Sequence, residues 1–115
     1  MVEINRGNIV LVDLNPVIGT EQSGIRPAVI IQTDKANKVS PHTIIAPFSS
    51  KIRSAILPSH VFIQAGQAGI IMDSVILCEQ LRVIDKKRIL KFIGKLSDEL
   101  TIELNSAIVA ILDIK

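Results

Sequence analysis

The sequence predicts a mainly β fold with α: a small barrel or curled sheet of antiparallel strands with one helix packed against it. Two observations carry this. Short apolar runs recur at close spacing, each bounded by Gly, Pro, Asn or Asp. The one long stretch with helical spacing comes last and has a broad apolar face, which must be buried against something. With 115 residues, 48% of them hydrophobic, the chain can bury a core as one domain spanning 1–115, and disorder is excluded over most of its length.

Residues 8–14, NIVLVDL, read as a strand after the Arg6-Gly7 turn. Ile9 and Leu11 lie on one face and Val10, Val12 and Leu14 on the other, so both faces need cover. Asn15-Pro16 ends it. Residues 28–32 form a second buried strand, and the polar stretch 33–41 is a connection with room for one helical turn. TIIAPFS, 43–49, is a third strand, in which Pro47 implies an edge position or a bulge. A basic loop with Lys51 and Arg53 follows, then a turn at Pro58, a short strand 60–63 and a glycine turn 64–69.

Residues 74–81, SVILCEQL, are the strongest strand signal, and Val83 and Ile84 continue the apolar pattern. Asp85 offers an N-cap for a short helix over 86–90, and 91–95 a last strand broken by Gly94. Ser97 caps the final helix, with Asp98 and Glu99 in the first turn where the helix dipole favours acids. Leu100, Leu104, Ala107, Ile108, Ile111 and Leu112 share one face; Ile102 and Val109 lie opposite, as scattered surface apolars or part of a subunit contact.

Composition excludes more than it selects. A net charge of +2 permits a nucleic-acid partner without arguing for one. There is no Trp or Tyr, so base stacking would rest on Phe48, Phe62, Phe92, Arg or apolar side chains. Cys78, the only cysteine, lies in an apolar run and reads as a buried small hydrophobe. No basic-then-apolar leader opens the chain and no apolar run reaches the ~18 residues of a membrane span. A soluble, cytoplasmic protein with no membrane partner is expected. Phosphate-loop and dinucleotide fingerprints are missing, and two histidines with one cysteine argue against a zinc cluster, so neither metal nor cofactor is expected. His42 and His60 read as surface or hydrogen-bonding histidines.

The chemistry concentrates in GTEQSGIRPAVIIQ, 19–32, a glycine-bounded polar loop running into a strand. Pro27 pushes Arg26 toward extended backbone at the strand mouth, where its planar fork can meet a phosphate or carboxylate. The competing reading pairs Arg26 with a nearby acid to pin the loop. Polar residues also stand at the other strand ends: Ser49, Ser50 and Lys51 after the third strand, Asp73 and Ser74 before the strong one, and Glu79, Gln80 and Arg82 beyond it. In a small barrel such ends converge on one rim, as ordinary solvated ends or as a cationic, hydroxyl-bearing site.

These blocks resemble the MazF/PemK family of toxins, the ribonuclease partners of bacterial type II toxin–antitoxin pairs. RGNIVLVDLNPVIGTEQSGIRPAVIIQ is similar to the family's opening block, and the likeness continues through NKVSPHTIIAPFSSKI, LPSHV, DSVILCEQLRVIDKKRI and the helical tail. The resemblance implies an SH3-like barrel with a C-terminal helix, a homodimer, metal-independent cleavage of single-stranded RNA at short sequences, and neutralisation by a cognate antitoxin. It places the family's catalytic arginine on Arg26 and its catalytic threonine on Ser49, which keeps the hydroxyl and loses the methyl. Glu21, Gln22, Lys51, Ser74, Gln80 and Arg82 are then candidates for RNA contacts. The rivals are a related-fold toxin that inhibits a protein such as DNA gyrase, which would need no Arg–hydroxyl pair, and a toxin-like regulator without catalysis.

Overall fold

The computed structural model describes residues 3–52 and 57–115. In chain order the elements are β1 (Asn8–Asp13), β2 (Ile25–Ile30), α1 (Asp34–Val39), β3 (His42–Ser49), β4 (His60–Ile63), β5 (Ser74–Leu77), β6 (Arg82–Asp85), β7 (Ile89–Lys95) and α2 (Asp98–Leu112), with 3-10 turns at Cys78–Gln80 and Lys86–Arg88. All recorded strand pairs are antiparallel, in the order β4-β5-β3-β2-β1-β7, with β6 also on β3. The mainly β architecture with a C-terminal helix is the one expected.

The ladder does not close into the barrel: β4 and β7 are the ends of the hydrogen-bonded path. The sheet nevertheless curls until the β4–β5 loop lies backbone-to-backbone on β7. A Cβ on Gly94 would stand 2.5 Å from the Ala68 carbonyl oxygen, and one on Gly69 2.6 Å from that of Ile93. Two glycines let main chain approach main chain where ladder hydrogen bonds stop.

Both faces of the central strands are covered, as their unbroken apolar runs require. Ile9, Val29 and Ala46 join the cluster that includes Leu100, Leu104 and Ala107 of α2. Val10, Ala28 and Ile45 face a second cluster with Val12, Leu14 and Ile84. The Ser97 hydroxyl accepts from the Leu100 N–H at 3.2 Å and starts α2 as predicted. Ile111 and Leu112, expected on the core face, are 41% and 55% exposed because the helix outruns the cluster it packs on.

Four strand predictions change. β2 begins at Ile25, so Arg26 and Pro27 lie within its paired stretch opposite Val12 and Leu11. Pro47 is buried in β3, a central strand, and not at an edge. Beyond β2, β3 pairs with β6 up to Ile45 and with β5 from Phe48, so Pro47 falls in the interval between two partners where a missing N–H costs no ladder bond. The strong run 74–81 stops at Leu77, where the chain turns through Cys78–Gln80 and restarts as β6. The predicted helix at 86–90 is only the turn Lys86–Arg88, capped by Asp85 as expected, with its carboxylate accepting from the Lys87 N–H at 2.8 Å. β7 runs through Gly94 unbroken.

Candidate active site

The β2–β3 register brings Arg26 and Ser49 together. Its last recorded pair is Ala28↔Pro47, and two further steps would set Arg26 opposite Ser49. There the β2–β3 ladder lapses, because Pro27, next in register opposite Phe48, has no N–H to donate, while Phe48 and Ser49 pair on the strand's other edge with Ile76 and Val75 of β5. The Arg26 guanidinium spans the opening: Nη1 donates to the Phe48 carbonyl at 2.9 Å and Nε to the Ser23 carbonyl at 2.7 Å. The Gln22 side-chain oxygen, in the amide orientation this network requires, accepts from Nη1 at 2.5 Å and Nη2 at 3.2 Å.

Among the described residues no carboxylate forms an ion pair with Arg26. The acid-pinned reading of this arginine therefore fails on these residues. Three neutral oxygens hold the cation, and partial burial pulls its pKa below the ordinary arginine value.

Ser49 is 7% exposed. Its Oγ accepts from the Lys51 N–H at 3.1 Å. Among the described residues its own O–H has no acceptor and is left to donate. Arg26 and Ser49 face a cleft of about 620 Å³ that Glu21, Gln22, Lys51 and Gln80 also line. Gln80 ties the loop down: Oε1 accepts from the Gln22 N–H and Nε2 donates to the Thr20 carbonyl, each at 3.2 Å. Glu21 turns back on its own loop and accepts from the Ile18 N–H at 2.6 Å.

Two predicted contacts stand apart. Ser74 lines a second cleft, of about 480 Å³, on the other side of Arg26, and donates to the Met72 carbonyl at 2.9 Å. Arg82 donates to the Leu14 carbonyl at 3.3 Å and lines neither cleft, because β6 carries it along β3 away from the rim. Arg53, from the predicted basic loop, lies outside the described residues. Cys78 is buried, and that burial, with Glu79 beside it, pushes its thiol up to about 12. Among the described residues no group of three His, Cys, Asp or Glu side chains is placed to hold a metal ion.

The sequence profile of the PemK-like, MazF-like toxins of type II toxin–antitoxin systems matches residues 5–112. The chain belongs to this toxin family. It is 44% identical over 105 residues to the endoribonuclease EndoA of Bacillus subtilis, covering 91% of this chain and 90% of that protein. It is 47% identical to the endoribonuclease MazF of Staphylococcus saprophyticus, covering 91% and 88%. The fold is that of MazF from Deinococcus radiodurans, with a TM-score of 0.84 at 23% identity over 99% of this chain and 100% of that one.

The toxin's cleft also holds His60, which sequence reasoning did not place there, paired with Glu79, which it counted among the polar strand ends. His60 Nε2 lies 2.7 Å from Glu79 Oε2, Nδ1 accepts from the Leu57 N–H at 3.3 Å, and Glu79 Oε1 accepts from Ser59 Oγ at 3.1 Å. Because Nδ1 accepts a backbone N–H, Nε2 carries the proton and donates to the carboxylate. His60 is thus a hydrogen-bonding histidine, as expected, but at the cleft. The signal was weak: strand pairing His60↔Leu77, extended through a continuous 74–81 strand, would set Glu79 opposite Pro58. Only the 3-10 turn delivers it to His60.

Proposed function

We propose that the toxin is a sequence-specific endoribonuclease that cleaves single-stranded RNA without a metal ion, acts as a cytoplasmic homodimer built from one toxin domain per chain, and is neutralised by a cognate antitoxin. The observation that carries this reading is a guanidinium with no carboxylate partner among the described residues, tied to the backbone beside Ser49. The family description and the endoribonuclease relatives support it.

RNA supplies its own nucleophile. The ribose 2′-hydroxyl gives up its proton as its oxygen bonds to the adjacent phosphorus, the bond to the 5′-oxygen breaks, and that oxygen takes up a proton, leaving a cyclic phosphate and a 5′-hydroxyl. Arg26 stabilises the charge that builds on the phosphoryl oxygens, and the Ser49 O–H donates to one of them. Lys51 adds positive charge at the cleft, and Glu21, Gln22 and Gln80, which also line it, are candidates for RNA contacts. Ser74 and Arg82 contribute only where RNA extends past this cleft.

The reading is tested by incubating the purified toxin with long single-stranded RNA in excess chelator and mapping the ends. Cleavage of RNA and not DNA, with 5′-hydroxyl ends, is expected; loss of activity in chelator overturns metal independence. Ser49→Ala should lower the single-turnover rate about tenfold or more, and Ser49→Thr should keep or raise it, since the hydroxyl is what a charged oxygen uses. An alanine variant as fast as the parent removes Ser49 from the chemistry.

The homodimer is supported by the outer stripe of α2, where Ile102 is 67% and Val109 44% exposed. Sedimentation at micromolar concentration should give about twice the chain mass. A monomer rejects the dimer, whereas a dimer indifferent to Ile102→Glu rejects only the stripe.

A further inference from the structure

The resting contact between Gln22 and Arg26 has the form of a bound ligand. A single amide oxygen sits across Nη1 and Nη2, the two nitrogens a phosphate would engage as a fork. Nε also donates to Ser23 and Nη1 to Phe48, which leaves one Nη2 hydrogen open. An incoming phosphate therefore finds the two-nitrogen fork taken by the protein.

We infer that Gln22 is a displaceable plug: its amide oxygen occupies the phosphate seat of Arg26 in the free toxin and leaves when an RNA phosphate binds. The inference rests on the assignment of Arg26 as the phosphate-binding group. Three observations shape it. The plug is neutral, so an anion forming charge-assisted bonds to the same nitrogens outcompetes it. The neighbouring acid, which as a carboxylate would block the fork far more firmly, is held away by the Ile18 N–H. The loop that carries the plug is latched at its backbone by Gln80, through Gln22 and Thr20, so the side chain can swing out while its own main chain stays in place. The plug keeps a half-buried guanidinium solvated by the protein until substrate arrives, at the cost of some affinity.

The test measures binding of a short, mixed-sequence, fluorescent 2′-O-methyl RNA, which the toxin cannot cleave, by anisotropy at fixed salt. Gln22→Ala should bind about three- to tenfold tighter, the equivalent of one hydrogen bond no longer competing. Gln22→Glu should bind at least tenfold weaker, with the loss shrinking as salt screens the new ion pair. In an Arg26→Ala background the Gln22→Ala gain should vanish, which ties the effect to this contact. Weaker binding by Gln22→Ala overturns the plug and makes Gln22 an RNA contact. A Gln22→Ala gain that survives in Arg26→Ala overturns it as well. The underlying reading fails separately: Arg26→Ala that binds and cleaves like the parent removes Arg26 from the site, whatever Gln22 does. Melting curves on every variant confirm that the compared proteins are folded.

Discussion

Arg26→Lys is expected to slow single-turnover RNA cleavage by about 10²–10³, and Arg26→Ala by more, with the fold intact in both. The magnitude is that of losing one preorganised donor to a developing oxyanion. Lysine keeps the charge, but an ammonium on a flexible stem cannot replace a planar group fixed by two carbonyls. Here the geometry is specific, because Nε holds Ser23 and Nη1 holds Phe48. A lysine can reach one of these oxygens and not bridge both while facing a phosphate. Cleavage, binding of a cleavage-blocked RNA and thermal melting should be followed on the same three proteins. Binding should fall less than rate, since Lys51 and the polar loop still face the cleft. Equal cleavage by Arg26→Lys and the parent would falsify the clamp. Collapse of melting temperature in both variants would make Arg26 a structural brace.

Gly94→Ala should destabilise the toxin by about 1–3 kcal/mol, lowering the melting temperature by about 5–15 °C. The cost is steric: Gly94 is outside the left-handed region, but a Cβ there would meet the Ala68 carbonyl oxygen at 2.5 Å and its carbon at 2.9 Å. Both are main-chain atoms of a turn that cannot rotate aside like a side chain. Gly66→Ala is the matched control. Gly66 has φ +95 with nothing within 4 Å of an added Cβ, so its cost is backbone strain alone, about 1–2 kcal/mol. The comparison also reads the seam directly: a Gly94→Ala protein should lose amide protection along β7 before β2 and β3. A melting temperature within about 2 °C of the parent would show that the two edges part without penalty.

Much of this architecture was legible in the residues because it rests on local rules. The Ser97 and Asp85 caps were found from their side chains, and α2 from its apolar spacing. The unbroken apolar run of β1 told that both its faces are covered. What was hidden depends on which strand lies beside which. Pro47 looked like an edge signal because no residue announces that β3 changes partner there. The stop at Leu77 was invisible because Cys78 and Leu81 continue the apolar pattern through a turn. At the site, Arg26 was found from its place at the strand mouth and Ser49 from its strand end, with the resemblance adding their catalytic roles; Glu21 and Gln22 were found from the polar loop and Gln80 from its strand end. Ser74 and Arg82 met the same criterion and point elsewhere, since polarity at a strand end does not say which rim the strand reaches. The groups that hold Arg26 were beyond any reading of side chains, since two of them are backbone carbonyls.

The lapse of the β2–β3 ladder has a consequence for tuning the enzyme. Arg26 is held by β1 through Val12, whereas Ser49 is held by β5 through Val75. The two groups proposed to meet one phosphate therefore answer to different neighbours, so the spacing between them depends on how those strands sit. Catalytic spacing is thus adjustable from a distance. Ile76 of β5 and Ile63 of β4 are buried in the core and line neither cleft, so repacking them is expected to shift that spacing without altering a polar atom of the site.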